Sequence, residues 1–581
     1  MRSVYNAFAM KNHIVIARSA GGATKQSPRF ILLIVALAFS ACSPQTTQMP
    51  QVTPSTSTPV APVQVLVSTP KPAGNHIGSS VPATLREQVQ SLNLQSYILD
   101  ASPFVESKPA LNEARIQWVY TLVAPFPTVT DNVTFDELHT AWTEGNLLNG
   151  IPLLMEESTR DALTVLWDAP AANAARIVST GELLDTAWSE SAWAIIPFEE
   201  LQPKWKVLSI DRQSPIRKGF DISSYPLIVD FTLQSSTTPQ LPITNYEPSR
   251  LTTVILTGVT ALVRATALTM EYKGVTYPGE KIRDVLREAD IAHISNEIPF
   301  FTGCEFPKPD ASGPLVFCSD PKYIALLTDV GADVVELTGN HFADRGAQGM
   351  LETIEIYNEY NLPYYGGGAD LQDSLEPALF ETNGNKLAFV GCNKPDVDRF
   401  STARDFRPGA APCDFNYLTQ KIAELNSQGY VVVSTFQWNE SYDPRPSPQQ
   451  MTDFRLMAES GASIVSGSQA HYAQTMEFYG DGFIHYGLGN LFFDQMGDQD
   501  WMPPGIRREF LDRYVIYDGK LISIELLTAL LEDYSRPRWM AEGERAAFLQ
   551  EYFYYSGWMP LIPTPIPTIT PTLTPMSIPT P

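Results

Sequence analysis

Basic residues are in short supply. The 581-residue chain sets 40 Lys+Arg against 64 Asp+Glu, a net charge of −24, and its long-range field repels polyanions, so nucleic acid is excluded as a partner. Long apolar runs are also missing: the run at 30–39 is about the length of a signal-peptide core and too short to span a bilayer. Cysteine is scarce, with five in the chain, and so is histidine, with seven. Each of these residues is therefore informative by its position. Hydrophobic residues still make up 44% of the chain, which excludes general disorder, and the length predicts two or three domains.

Arg2, Lys11, Arg18, Lys25 and Arg29 precede the run at 30–39, and Ser40-Ala41-Cys42 closes it. This is the order of a signal peptide over 1–42. Small residues immediately before a cysteine resemble the bacterial lipobox, which implies lipidation at Cys42 and an extracytoplasmic, membrane-anchored protein. Phe39 stands where a lipobox has an aliphatic residue, and secretion without lipid is the alternative. Residues 43–83, rich in Thr, Pro, Gln, Val and Ser, read as a linker, and 561–581, dominated by Pro and Thr, as an extended tail. Export also bears on the remaining cysteines, Cys304, Cys318, Cys392 and Cys413. Four thiols in an oxidising compartment allow three pairings; the sequence-local one joins Cys304 to Cys318 and Cys392 to Cys413, and neither spacing is that of a zinc site.

Two α/β regions follow. In 84–245 short apolar runs alternate with helical patterns: a strand at 116–122, a helix at 135–142 opened by Thr134, and a strand at 193–197 with a helical turn at Glu199. Its one histidine, His139, lies in a helical pattern and reads as a packing or surface residue. The segments 119–145 and 191–216 resemble type II periplasmic solute-binding proteins, particularly those for phosphate, which implies a binding-protein-like domain and admits a nutrient receptor as one reading.

In 246–560 strand-like runs recur at 254–257, 291–294, 334–337, 387–390, 430–434, 463–465 and 483–486, with helices between, such as 279–288 and 346–360. Alternation of this kind predicts a parallel or mixed sheet with polar residues past the strand ends building the site. Five polar clusters lie there: Ser295-Asn296-Glu297, Asn340-His341 with Asp344, Gln437 to Tyr442, Gln469-Ala470-His471, and Gly489-Asn490. Asn, Glu and His converging from several strand ends form a ligand set for a divalent cation. Taken singly, each cluster reads as a strand-to-helix turn and cap; five in order favour a site. Trp438, Tyr442, Tyr472, Phe492, Phe493 and Trp501 either line a surface for sugar rings or fill the core. His293, within a strand, and His485, before a turn, read as structural.

In order, these clusters resemble the capsule-synthesis CapA family, associated with poly-γ-glutamate and related to calcineurin-like metallophosphatases. The strongest similarity lies in Gly339-Asn340-His341-Phe342-Ala343-Asp344-Arg345-Gly346 and Gly487-Leu488-Gly489-Asn490-Leu491-Phe492-Phe493-Asp494. The resemblance implies a metallophosphatase-type α/β sandwich and a role in capsule polymer synthesis or anchoring. Matched residue by residue, it implies Glu297, Asn340, His341, Glu440 and His471 as metal ligands. His341, Glu297 and Asp344 are then the catalytic group, with Gln437, Trp438, Tyr442, Gln469 and Asn490 around the ligand.

The departures bear on chemistry. The family's Gly-Asp is Gly258-Val259 here, His-Trp is Gln437-Trp438, and His-Pro-His is Gln469-Ala470-His471. Without a bridging carboxylate a two-metal centre is not expected; one divalent ion, Mn²⁺, Mg²⁺, Ca²⁺ or Zn²⁺, is. Two functions remain open: a metal-dependent hydrolase with a depleted ligand set, and a non-enzymatic envelope protein that binds an anionic or saccharide ligand.

Overall fold

The computed structural model describes residues 15–16, 74–103, 112–145, 153–237, 243–309, 315–394, 400–497 and 502–558. Cys42, nearly all of the leader, the tail 561–581 and Trp501 lie outside them. No helix among the described residues is long and apolar enough to cross a membrane.

The first domain begins earlier than composition suggests. Asn75–Ile77 pairs in parallel with Tyr97–Ser102, so the last residues assigned to the linker are part of the fold. The sheet continues through Ile228–Ser235, Glu113–Pro125, Trp193–Pro197 and Leu153–Met155 to Ala175–Ile177. Helix Phe135–Glu144 starts where the sequence places it, because Thr134 and Glu137 satisfy each other's backbone N–H groups. Trp118, Trp142 and Trp193 are fully buried in the core beneath. His139 packs against Phe135 and Trp167.

The second domain holds two sheets. One runs Tyr364–Tyr365, Val334–Glu336, Ile291–Asn296, Leu251–Leu256, Arg508–Tyr517, Lys520–Glu532, Arg536–Trp539. In the other, Asn385–Asn393, Tyr430–Ser441, Ile464–Ala470 and Gly482–His485 are parallel neighbours. Alternation along each strand decides the layers. Val254 and Leu256 face the second sheet, meeting Leu387, Phe389, Val431 and Val433. Ile255, between them, faces outward to Met270, Leu286 and Leu327. Val390 and Val432 cover Leu418, Ile422 and Phe454 on the opposite outer side. The result is an α/β/β/α sandwich, in which each buried aliphatic side chain contributes about 1.5–3 kcal/mol.

Two local readings change. The helix expected over 279–288 is a 3-10 turn, Tyr277–Gly279, followed by the short helix Arg283–Glu288. The hairpin Arg508–Tyr517/Lys520–Glu532 was not anticipated, although its turn, Asp518-Gly519 with φ of 52° and 70°, carries a strong hairpin signal. Both sequence-local disulfides form, with Cα–Cα distances of 5.8 Å for Cys304–Cys318 and 5.0 Å for Cys392–Cys413.

The domains share a seam. Phe126 enters an aromatic nest of Phe478, Phe483, Phe553 and Trp558. Asp131 bonds both Lys206 of its own domain and Arg545 of the other.

Candidate functional site

After the strand Val334–Glu336, His341 lies on a 3-10 turn, Asn340–Ala343, which Asp344 caps. The Asp344 carboxylate takes His341 Nδ1 at 2.8 Å and the backbone N–H of Phe317 at 2.7 Å, which fixes the imidazole and the disulfide-closed loop together. Burial alone pulls the imidazole pKa down; the Asp344 bond and the charges of Glu297 and Asp344 outweigh it, and the pKa is raised. Glu297 is buried, and its Oε1 has no partner. Its neighbour Asn296 turns away, donating to the Ile298 carbonyl and the Tyr357 hydroxyl.

From the second sheet, Gln437 Nε2 donates to Asn340 Oδ1, and the Ser468 hydroxyl lies 3.2 Å from both Gln437 Oε1 and Glu336 Oε1. Glu336 is fully buried, its pKa raised by desolvation, and Thr338 donates to it. His293 stands 3.6 Å from its other oxygen and bonds Tyr365, within the core, as its place in a strand suggests. His485, equally buried, bonds Asp512.

His471 is oriented by a directed chain. Asn490 Nδ2 donates to Gln495 Oε1, so its Oδ1 faces His471 Nδ1 at 2.9 Å; Gln495 Nε2 donates to the Tyr442 hydroxyl, which donates to Glu440 Oε1 at 2.6 Å. Nδ1 is therefore the ring nitrogen that donates to Asn490. Phe493 packs 4.7 Å from the His471 ring and Phe317 5.1 Å from His341.

Arg264, absent from the sequence reading, joins these halves. Its guanidinium lies 5.2 Å from the Phe317 ring centre and 5.3 Å from that of Phe493. It is paired with Asp494, and its charge acts on His341 and Tyr442. Arg264 and Gln469 both have positive φ, 47° and 72°, an arrangement rare for residues with a Cβ. No sequence signal marked Arg264, since its partner Asp494 lies 230 positions away.

Two assignments are corrected. Trp438 is not in the cleft: it is buried against Phe436 and Phe454 on the helix side of its sheet, because Gln437 faces the cleft and successive residues alternate. Glu440 is exposed, past a register shift between Gln437 and Ser441, and reaches His471 only through the Tyr442 chain.

Among the described residues no three His, Cys, Asp or Glu side chains are grouped to hold an ion. Val259, at the family's carboxylate position, lies in an apolar cluster with Ile298 and Phe493. Gly258 has no room to help, since a Cβ there would stand 2.2 Å from the Gly489 carbonyl oxygen. What the site offers is Arg264 paired with Asp494, two imidazoles each oriented through Nδ1, and a carboxyl whose Oε1 has no partner among the described residues.

Residues 253–495 match the family model described as bacterial capsule synthesis protein PGA_cap. The chain is 26% identical over 274 residues to the capsule biosynthesis protein CapA of Bacillus anthracis, covering 46% of this chain and 66% of that one. It is 27% identical over 226 residues to the PGA biosynthesis protein CapA of Bacillus subtilis (strain 168), covering 39% and 59%. The chain thus spans less than two thirds of either relative. Among solved structures, the NAD nucleotidase of Haemophilus influenzae aligns at TM-score 0.30 and 10% identity, over 52% of this chain and 62% of that one; the fold described above rests on its own strands and layers.

Proposed function

We propose, from the match of residues 253–495 to the family model for bacterial capsule synthesis protein PGA_cap, that the protein takes part in making or anchoring a capsule polymer of poly-γ-glutamate type at the cell envelope, holding the polymer at the His341/His471 site. The observation that carries this reading is the meeting of Arg264, His341 and His471 in one cleft where the family's bridging carboxylate is replaced by buried Val259. A site that lacks the family's bridging carboxylate is poorly suited to a pair of metal ions, and its arginine and two imidazoles are the groups that would meet an anionic polymer. In this proposal the leader exports the chain, Cys42 carries a lipid, the sandwich is of metallophosphatase type, and the first domain is a solute-binding-protein relative that adds a second contact.

Hydrolysis is the second reading, favoured by the free Oε1 of Glu297 near an imidazole that Asp344 orients. The two are separated on the purified chain from Ser43 onward by measuring binding and cleavage of γ-glutamyl oligomers with and without chelator. Binding that survives chelation, without cleavage, supports the first. Cleavage lost in His341→Ala with the fold retained supports the second, and neither binding nor cleavage sinks both.

A further inference from the structure

Beside the cleft lies a cavity of about 180 Å³ between the helix Arg264–Lys273, residues 304–308 and 316–318 on either side of the Cys304–Cys318 link, and Arg345, the N-cap of Gly346–Glu359. Three cations line it: Arg264, Lys308 and Arg345. Arg264 is neutralised by Asp494, and Lys308 lies 4.0 Å from Glu305 at an exposed position. Arg345 differs. It is half-buried, its Nε is sealed from solvent, and no acceptor among the described residues reaches that nitrogen. No carboxylate pairs with its guanidinium there either.

An unpaired, partly desolvated guanidinium costs free energy unless something supplies the missing acceptors. Glu305 and Asp320 also line the cavity, but Asp320 caps its own turn and faces Lys322. The position has no evident fold-level purpose: Arg345 falls at the variable place in Asn-His-x-x-Asp-x-Gly, directly after the Asp344 that holds both His341 and the Phe317 backbone. The cavity and the cleft thus share a wall, Arg264 with Phe317.

We infer that this cavity is a carboxylate subsite, in which Arg345 receives a free carboxylate of an acidic chain whose neighbouring unit occupies the His341/His471 cleft. The inference rests on the polymer-binding reading above and extends it. A γ-linked glutamyl chain presents one free α-carboxylate per unit, and a planar guanidinium is matched to that group bidentately. The local cations offset the protein's overall negative charge only at short range, so binding weakens steeply with salt.

The test compares a γ-glutamyl oligomer with the same oligomer capped as α-methyl esters, on the full chain and on Arg345→Gln, by calorimetry at fixed salt. The acid form is expected to bind the unmodified protein about tenfold or more tighter than the ester, the difference one charge-assisted contact supports, and Arg345→Gln is expected to lose that preference while unfolding at the same temperature. Arg345→Lys should recover part of it. Equal acid preference in Arg345→Gln overturns the subsite and leaves the polymer-binding reading standing. Failure of the unmodified protein to bind either oligomer overturns both. Should Arg345→Gln fold poorly, Lys308→Gln and the salt dependence of acid against ester binding serve instead; an acid preference that neither changes overturns the subsite.

Discussion

Gln437 Nε2 donates to Asn340 Oδ1 across 3.1 Å, tying a strand of the second sheet to the turn that carries His341. In the family pattern the position of Gln437 holds histidine. Here the amide hydrogen occupies the Asn340 oxygen that an ion would need, and Val259 supplies no carboxylate beside it.

The purified protein, incubated with Mn²⁺, Zn²⁺, Mg²⁺ and Ca²⁺ and then dialysed, is therefore expected to retain less than one ion per chain by mass spectrometry. Two retained ions would return the metallohydrolase reading to first place. Val259→Asp places a charge in an apolar cluster and is expected to lower stability by about 2–4 kcal/mol, measured by urea unfolding with chelator present.

Asp344→Asn should lower the His341 pKa, read from the imidazole proton shifts in an NMR titration. The sign follows from linkage: His341 is raised in the folded state, so its contribution is fully present below the unfolded value of about 6.5 and is lost as pH rises through the folded value. The variant should lack that slope. A retained slope would assign it to another group.

Glu199 and Glu200 titrate far from the ordinary carboxyl range. Burial pushes Glu199 up to about 7, with Asn245 and Trp118 offsetting part of the effect, and burial together with Glu156 and Glu199 pushes Glu200 up to about 8. Both are protonated in the folded state at pH values where the unfolded chain has released its protons, so stability falls as pH rises from about 4.5 through these values. Glu200→Gln should raise the melting temperature by a few degrees at pH 9 and leave it nearly unchanged at pH 4. Equal melting at both would show that the glutamate is not strained.

At the domain seam, burial would raise the Asp131 carboxyl, but Lys206 and Arg545 outweigh it and hold the pKa below its ordinary value. Asp131→Ala leaves two cations facing each other. The Asp131 side chain is 52% exposed, so solvent screens the loss and the expected cost is about 1 kcal/mol, shrinking with added salt. No change in denaturant midpoint would remove this triad from the seam.

Opening the Cys304–Cys318 link by replacing both residues with serine should cost about 3 kcal/mol for a separation of 14 residues. Because Phe317 is bonded to Asp344, the same change should also weaken acid-oligomer binding. Unaltered binding would uncouple the loop from the cleft.

The sequence carried the parallel strands of the sandwich, though not the hairpin over 508–532, and the order of the clusters, because these depend on local patterns: apolar runs, and polar residues where they stop. It did not carry which way a side chain points after a strand loses its regular register. Gln437 and Trp438 lie on opposite faces by simple alternation, a distinction available from the strand pattern; Glu440 lies beyond a register shift, which is set by the neighbouring strand. Arg264 was invisible for a different reason. Its role comes from Asp494, 230 positions away, and from a left-handed backbone that nothing in an arginine announces.

Phe126 has one more consequence. The family match ends at 495, yet Arg508–Tyr517 pairs with Leu251–Leu256 inside the first sheet, and Phe553 and Trp558 close around a ring from the preceding domain. The recognisable segment is thus not a transplantable module. Cut out alone, it would lose an interior strand and expose an aromatic socket, so the boundary of sequence similarity falls well inside the boundary of what packs together.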